Sequence, residues 1–309
     1  MIKTTDELLE SIKLRSMAPT SQTTFTDTRL LTLMSQELRS YVAPKIIGVR
    51  EDFFLNHQDT PVTANRELYP MVERAVGNSI KAVTYIDAGG NEKPLYRTTI
   101  KSIKYFNTPG EPGRFLIFGD NVRILPAPNV SGGYIRQYYF QTLSDLVKTS
   151  SVGKITAITE GASTTEFTIN KDLTSSLSSG DLIDFQSAKS PFQLWKYDVE
   201  IQTISATKVT VNNSDIQDAS GEVRARVGDY ICPPLQTNIP QVPVDYMTLL
   251  VQRVVCKIYE ALNDARKLQL ARGDLMAMEK DLFTLVKSRV EAQPRKVNNK
   301  GVLDYIGRY

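Results

Sequence analysis

The sequence predicts an α+β protein in which N- and C-terminal helices form one bundle. A large antiparallel β insertion projects from that bundle, and an extended C-terminal arm follows it. Three observations carry this reading. Apolar residues recur at helical spacing near both ends. Short β-branched and aromatic runs, separated by turn clusters, fill the middle. From Pro294 onward there is too little apolar content for the chain to fold by itself. The expected division is 1–60 for the first bundle helices and 61–243 for the β-rich insertion, with a possible joint near 140–151. The closing bundle helices then take 244–293, and the arm 294–309.

In the first region, Thr4 and Glu7 stand at capping-box spacing, with Leu8, Leu9 and Ile12 following on one face. A second helical pattern opens at Thr26 or Asp27 and carries Leu30, Met34, Leu38, Tyr41 and Val42. Pro44 should end or kink it, because proline lacks the N–H that the helix needs. "GVREDFFLN" adds one or two further turns.

In the middle region, "AGGN", "FGDN" and "SGG" read as hairpin-type turns between strands. Val223, Ala225 and Val227 alternate with Arg224 and Arg226, which predicts a strand with one face buried. After a proline-rich approach, Pro243 and Asp245 mark a helix start. Met247, Leu250, Val251, Val254, Val255, Ile258 and Leu262 follow along one face. A further long helix carries Leu268, Leu275, Met278, Leu282, Leu285 and Val286. Gly273 inside it costs about 1 kcal/mol relative to alanine and marks a kink or a close helix contact.

Composition bounds the function. Of 309 residues, 41% are hydrophobic and 23% charged, as in ordinary globular proteins. No apolar run approaches the roughly 20 residues that span a bilayer, and acidic residues occupy the place of a signal peptide's apolar segment. Synthesis in a reducing cytoplasm, with Cys232 and Cys256 as free thiols, is the expectation. The net charge of +3 is uneven: from Ala265 onward, basic residues exceed acidic ones by five, and the preceding 264 residues sum to −2.

A search for chemistry finds little. His57 is the sole histidine, which excludes triads or zinc sites built on several histidines; it is expected at a helix end, capping or exposed. No glycine loop has the strand-to-helix context that cradles phosphate. Asp181 and Asp184 suggest a glycosidase pair only weakly, since residues three apart on a strand point to opposite faces; Asp184 is expected to face water. Phe192 and Trp195 suit either a sugar-stacking platform or closure of a β domain. "RGD" at 272–274 falls within the second long helix. The expectation is therefore a non-enzyme with no catalytic residue, cofactor or metal.

Two stretches carry a resemblance. "FTDTRLLTLMSQELRSYVAPKIIGVREDFFL" and "YICPPLQTNIPQVPVDYMTLLVQRVVCKIYEALNDARKLQLARGDLMAMEKDLFTLVKSRVEAQPRKV" together resemble the head-to-tail connector (adaptor, or head-completion) proteins of tailed bacteriophages. The match is one of pattern and layout over roughly a third of the chain. It implies a structural virion protein at the head–tail junction, with copies assembled into a ring, expected to be twelve-fold, beneath the portal protein. It also implies a tail or nozzle protein as a further partner, DNA passing through the lumen, and no membrane. In such proteins the C-terminal arm docks on the portal, which makes Val302, Leu303, Tyr305, Ile306 and Tyr309 candidate portal anchors. Lys287, Arg289, Arg295 and Lys296 become candidates to line the DNA channel. The rival readings are another neck or tail-tube component, a carbohydrate-binding or carbohydrate-cleaving module built on Trp195 and Asp184, and a general nucleic-acid binder.

Overall fold

A computed structural model describes residues 4–17, 24–106, 108–189, 192–217 and 223–286. The chain opens with helix α1 (Thr5–Ser16). Its Thr4 hydroxyl accepts from the Glu7 N–H while the Glu7 carboxylate accepts from the Thr4 N–H, a complete capping box. Helix α2 (Asp27–Glu37) is capped by the Thr26 hydroxyl. The helical path does not stop at Pro44. A π-turn segment, Leu38–Val42, leads into α3 (Ala43–Val49), and Pro44 sits in the first turn of α3, where its missing N–H costs little. One 3₁₀ turn, Glu51–Phe54, then gives way to strand β1 (Leu55–Pro61).

Strands β2 (Leu68–Pro70), β3 (Ala75–Ile86), β4 (Glu92–Arg97), β5 (Arg114–Phe118), β6 (Asn121–Leu125) and β7 (Tyr134–Gln141) join β1 in one seven-stranded sheet. Their order is β1-β7-β3-β4-β5-β6-β2, all antiparallel except β4 and β5. The chain crosses from β1 at one edge to β2 at the other through six residues, and the seven Cα–Cα steps from Pro61 to Leu68 reach at most about 25 Å. A flat sheet of seven strands would hold its edges about 29 Å apart. The sheet must therefore curl, and it wraps a core of Tyr69, Val83, Tyr85, Phe115, Val122, Ile124 and Ile135. "AGGN" forms the β3–β4 hairpin turn, with the Asp87 carboxylate accepting from the Gly89 and Asn91 N–H groups. "FGDN" turns β5 into β6. "SGG" is no hairpin turn: it delivers the chain to β7, between β1 and β3, and a Cβ at Gly133 would lie 2.0 Å from the Ile86 carbonyl oxygen.

The short β8 (Asp145–Leu146) leads to a second β unit. Strands β9 (Gly153–Glu160), β10 (Thr164–Ile169), β11 (Leu182–Gln186), β12 (Leu194–Ser205) and β13 (Lys208–Asn212) come first. A four-residue helix α4 (Asn213–Ile216) follows, and β14 (Tyr230–Cys232) completes the set. They close a barrel in the order β10-β13-β12-β11-β14-β9. Phe167, Ile169, Ile183, Phe185, Val199, Ile201, Val209, Val211 and Ile231 fill it, as expected of a small barrel. The strand expected at 223–227 does not form. Only Val223 makes an isolated bridge, and a turn at Gly228, fixed by the Asp229 carboxylate on the Arg226 N–H, redirects the chain into β14.

After β15 (Gln236–Thr237), which pairs in parallel with β8, helices α5 (Val244–Ala261) and α6 (Ala265–Val286) end the described chain. Helix α5 is buried on nearly all sides, from Tyr246 to Tyr259, which is why its sequence is apolar well beyond one stripe. Helix α6 buries only one stripe, Ala271 and Leu275, flanked by the half-buried Leu268, Met278 and Leu282.

These facts correct the expected architecture. The protein is strand-dominated, with fifteen strands among the described residues, and its β region consists of two separately cored units, one of them a closed barrel. The helices do not make a self-sufficient bundle with one β insertion. Helices α1 and α2 meet α5, but their remaining apolar surface rests on Leu143, Leu146, Val152, Tyr230, Cys232, Ile239 and Val242. Polar bonds fix that seat. The Thr5 N–H donates to the Asn238 carbonyl, the Thr5 hydroxyl to the Val147 carbonyl, and the Leu146 N–H to the Ser35 hydroxyl oxygen.

Candidate functional site: a groove on the helical layer and a clamp beneath it

The residues singled out for chemistry occupy plain structural roles. His57 lies exposed on β1, not at a helix end, with its ring 5.9 Å from that of Tyr138. Asp184 does not face water. It is fully buried on β11 and receives both terminal nitrogens of Arg74, at 2.7 and 2.9 Å, as well as the backbone N–H groups of Asp198 and Leu235. Asp181 binds the Ser178 N–H at a turn. Phe192 is buried, and Trp195 stacks 4.7 Å from Phe185 against the barrel core, so neither offers a flat platform to a sugar. Cys232 and Cys256 are buried free thiols, and burial pushes both thiol pKa values up. Among the described residues, no cluster of three or more His, Cys, Asp or Glu side chains could hold a metal ion, and no helix is long and apolar enough to cross a membrane. The anchors Val302, Leu303, Tyr305, Ile306 and Tyr309, and the channel candidates Lys287, Arg289, Arg295 and Lys296, lie outside the described residues.

Two arrangements that sequence reasoning missed organise the molecule. The first is a clamp between the β units. Arg74, immediately before β3, is 5% exposed and bridges two barrel carboxylates, Asp184 on β11 and Asp198 on β12. Its guanidinium lies 4.9 Å from the ring of Tyr197, whose hydroxyl pairs with that of Tyr139 on β7 at 2.6 Å. Burial alone would lower the Arg74 pKa, but hydrogen bonds to the two carboxylates outweigh it and hold the group cationic. The fork geometry of arginine suits this bidentate contact in a way lysine could not. No local signal reveals it, since the partners stand more than 100 residues apart.

The second arrangement is a groove of about 360 Å³ across α1, α5 and α6, lined by Arg15, Gln252, Tyr259, Leu270, Asp274 and Met278 among others. Gln252 forms its floor, accepting from the Arg15 guanidinium at 3.1 Å and donating to the Ala271 carbonyl at 3.1 Å. Tyr259 donates to the Arg15 carbonyl. Leu270, 66% exposed, lies on its rim, and Leu14 and Met17, 80% and 81% exposed, end helix α1. On the far side of the layer, Arg253 bonds Glu37 at 2.7 Å and lies 4.1 Å from the ring of Tyr41, while Tyr41 and Lys45 both donate to Glu279. That network ties α6 to the segment that joins α2 to α3. No protein-family model matches this chain, and no curated protein matches it.

Proposed function

We propose that this protein is a structural virion component of the head-to-tail connector class. In this reading it forms an oligomeric ring that joins the portal to the tail and surrounds the DNA path. The observation that carries the reading is the exposed Leu270 on the rim of the α1–α5–α6 groove, together with the exposed Leu14 and Met17 at the end of α1. Large side chains exposed at the edge of a groove mark contact with another polypeptide more often than chemistry on a small molecule. A ring requires a contact in which one surface meets a different surface of the next copy; the groove side of the helical layer is the face assigned to that neighbour. The arm, with Val302, Leu303, Tyr305, Ile306 and Tyr309, remains the proposed portal anchor. Apolar and aromatic residues that find no cover within their own segment gain it on a partner.

The test is the mass of the purified protein, alone and after mixing with assembled portal, by native mass spectrometry. A ring, or a monomer that saturates the portal at one copy per portal subunit, supports the reading. A monomer indifferent to the portal sinks it, and binding to a tail protein instead moves the chain further down the neck.

A further inference from the structure

The connection from β4 to β5 carries a surface that the groove and the clamp do not explain. Tyr96 is 69% exposed, Ile100 67% and Tyr105 73%, and Arg97, Lys101, Lys104 and Arg114 are exposed among them. No acidic residue interrupts the chain from 94 to 110. The flanking pair, Lys93 with Glu111, is already neutral, and none of the four cations makes a salt bridge among the described residues.

Local geometry brings Tyr96, Arg114, Phe106 and the Ile100–Tyr105 turn together, while Arg97, opposite the buried Phe115 in the register, extends from the end of β4. Tyr96 and Arg114 are directly paired across β4 and β5, so their side chains emerge from the same face of the sheet. The Arg114 guanidinium lies 5.5 Å from the Phe106 ring, which brings the far end of the connection back to the strand pair. Ile100–Tyr105 is a 3₁₀ helix, in which residues three apart eclipse, so Lys101 and Lys104 share one edge. The Lys104 ammonium sits 5.0 Å from the Tyr105 ring.

We infer that this surface binds the phosphate backbone of nucleic acid without reading its sequence. Four unpaired cations meet phosphates, and Tyr96 and Tyr105 offer exposed faces on which unpaired bases stack. The inference stands on the chemistry of the surface and not on the connector reading. It places nucleic-acid contact on the first β unit, far in sequence from residues 287–296.

The test is fluorescence anisotropy of the full-length protein with a labelled 20-nucleotide single strand and a 20-base-pair duplex, across 50–200 mM NaCl. The variants are the quadruple Arg97→Ala, Lys101→Ala, Lys104→Ala, Arg114→Ala, the double Tyr96→Ala, Tyr105→Ala, and Ile100→Ala, each checked for an unchanged thermal melt. The quadruple variant should flatten the slope of log K against log salt by about 3, on the basis of roughly 0.7–0.9 per phosphate contact. The tyrosine pair should weaken the single strand at least about 10-fold, because stacking is worth ~1–3 kcal/mol per base, and leave the duplex within a few-fold. A quadruple variant with the parental slope overturns the proposal. So does Ile100→Ala abolishing binding to vesicles of anionic lipid while oligonucleotide binding is absent throughout, because the surface would then be a lipid-docking one. Oligomer mass, measured in parallel, tests the connector reading separately.

Discussion

Replacing Arg74 by alanine is the most informative single perturbation, because the structure sets its size. Arg74 is 5% exposed and makes charge-assisted hydrogen bonds to both Asp184 and Asp198. Its removal strands the Asp184 carboxylate, fully buried, with two backbone N–H groups as its remaining donors. Breaking a buried pair from one side costs about 3–5 kcal/mol. Asp198, whose side chain is 37% exposed, can rehydrate and adds little to that loss. Replacing both partners, Arg74→Met with Asp184→Asn, removes the stranded charge and should restore part of the stability. The coupling energy between the two sites is then on the order of 2–3 kcal/mol. Urea unfolding reads this out with two probes. Trp195, the only tryptophan, packs on the barrel core, while far-UV circular dichroism at helical wavelengths follows the helical layer. The parent should unfold with both probes together, and Arg74→Ala should lower the midpoint and split the two transitions as the β units lose their clamp. A variant within about 0.5 kcal/mol of the parent, the range of ordinary surface substitutions, would refute the clamp as a stabilising link.

Three further outcomes follow from other parts of the structure. Gly273 is helical, and a Cβ there would meet nothing within 4 Å, so Gly273→Ala should raise stability by roughly 0.5–1 kcal/mol in urea unfolding; a loss would mean the helix face is covered. Asp27 opens α2 and binds Lys13 at 2.5 Å and Lys148 at 2.7 Å, and hydrogen bonds from the two lysines hold its pKa below the usual 3.8. A depressed carboxylate stabilises fully above its unfolded pKa and loses that contribution as pH falls through the folded value. The difference between Asp27→Asn and the parent, about 0.5–1 kcal/mol at pH 7, should therefore shrink as pH drops below 3.8, and a pH-independent difference would contradict the assignment. Leu270→Glu should leave the monomer's melt unchanged yet prevent ring formation by light scattering, whereas deleting Lys300–Tyr309 should spare the fold and abolish portal binding.

The helices were legible because their signals are local. The Thr4–Glu7 box, the Thr26 cap and the apolar stripe from Met247 to Ile258 each lie within a few residues of one another. The division of the β region into a curled sheet and a closed barrel was not legible, because alternation reports which face is buried and never which strand lies alongside. Leu55 pairs with Phe140, and Tyr230 with Lys154, across gaps that no window spans. Asp184 shows the same limit at a single residue. Alternation along "DLIDFQ" suggests one wet face, yet Ile183, Asp184, Phe185 and Gln186 are all buried, because Arg74 and the chain near Leu235 cover the barrel's outer side there. Val223–Val227 shows the reverse: the alternation is present, but the turn at Gly228 leaves the segment without a strand partner beyond one bridge. The groove combines residues from α1, α5 and α6, and exposure of Leu14 or Leu270 is invisible to a pattern that counts both as apolar.

How the strands end decides where a second polypeptide can attach. A closed barrel has no free edge to which another strand could add. The sheet's two edges are poorly suited as well. β1 carries Asn56, His57, Gln58 and Asp59 on a largely exposed strand that ends at Pro61, and β2 is three residues long and ends at Pro70. Short, polar and proline-terminated edges resist strand addition. Association would then use side-chain surfaces, and the exposed apolar groups include Leu270, on the rim of the α1–α5–α6 groove, and Tyr96, Ile100 and Tyr105 on the β4–β5 connection. The second surface lies among Arg97, Lys101, Lys104 and Arg114 and suits a polyanion, whereas the first is lined by Asp274 as well as by Arg15 and Lys267 and so mixes both signs of charge. A groove of mixed charge with the exposed Leu270 on its rim suits protein contact better than a phosphate backbone. On the proposed readings the two surfaces divide the work by chemistry, and the clamp at Arg74 ties the sheet that carries one of them to the barrel beneath the helices that carry the other.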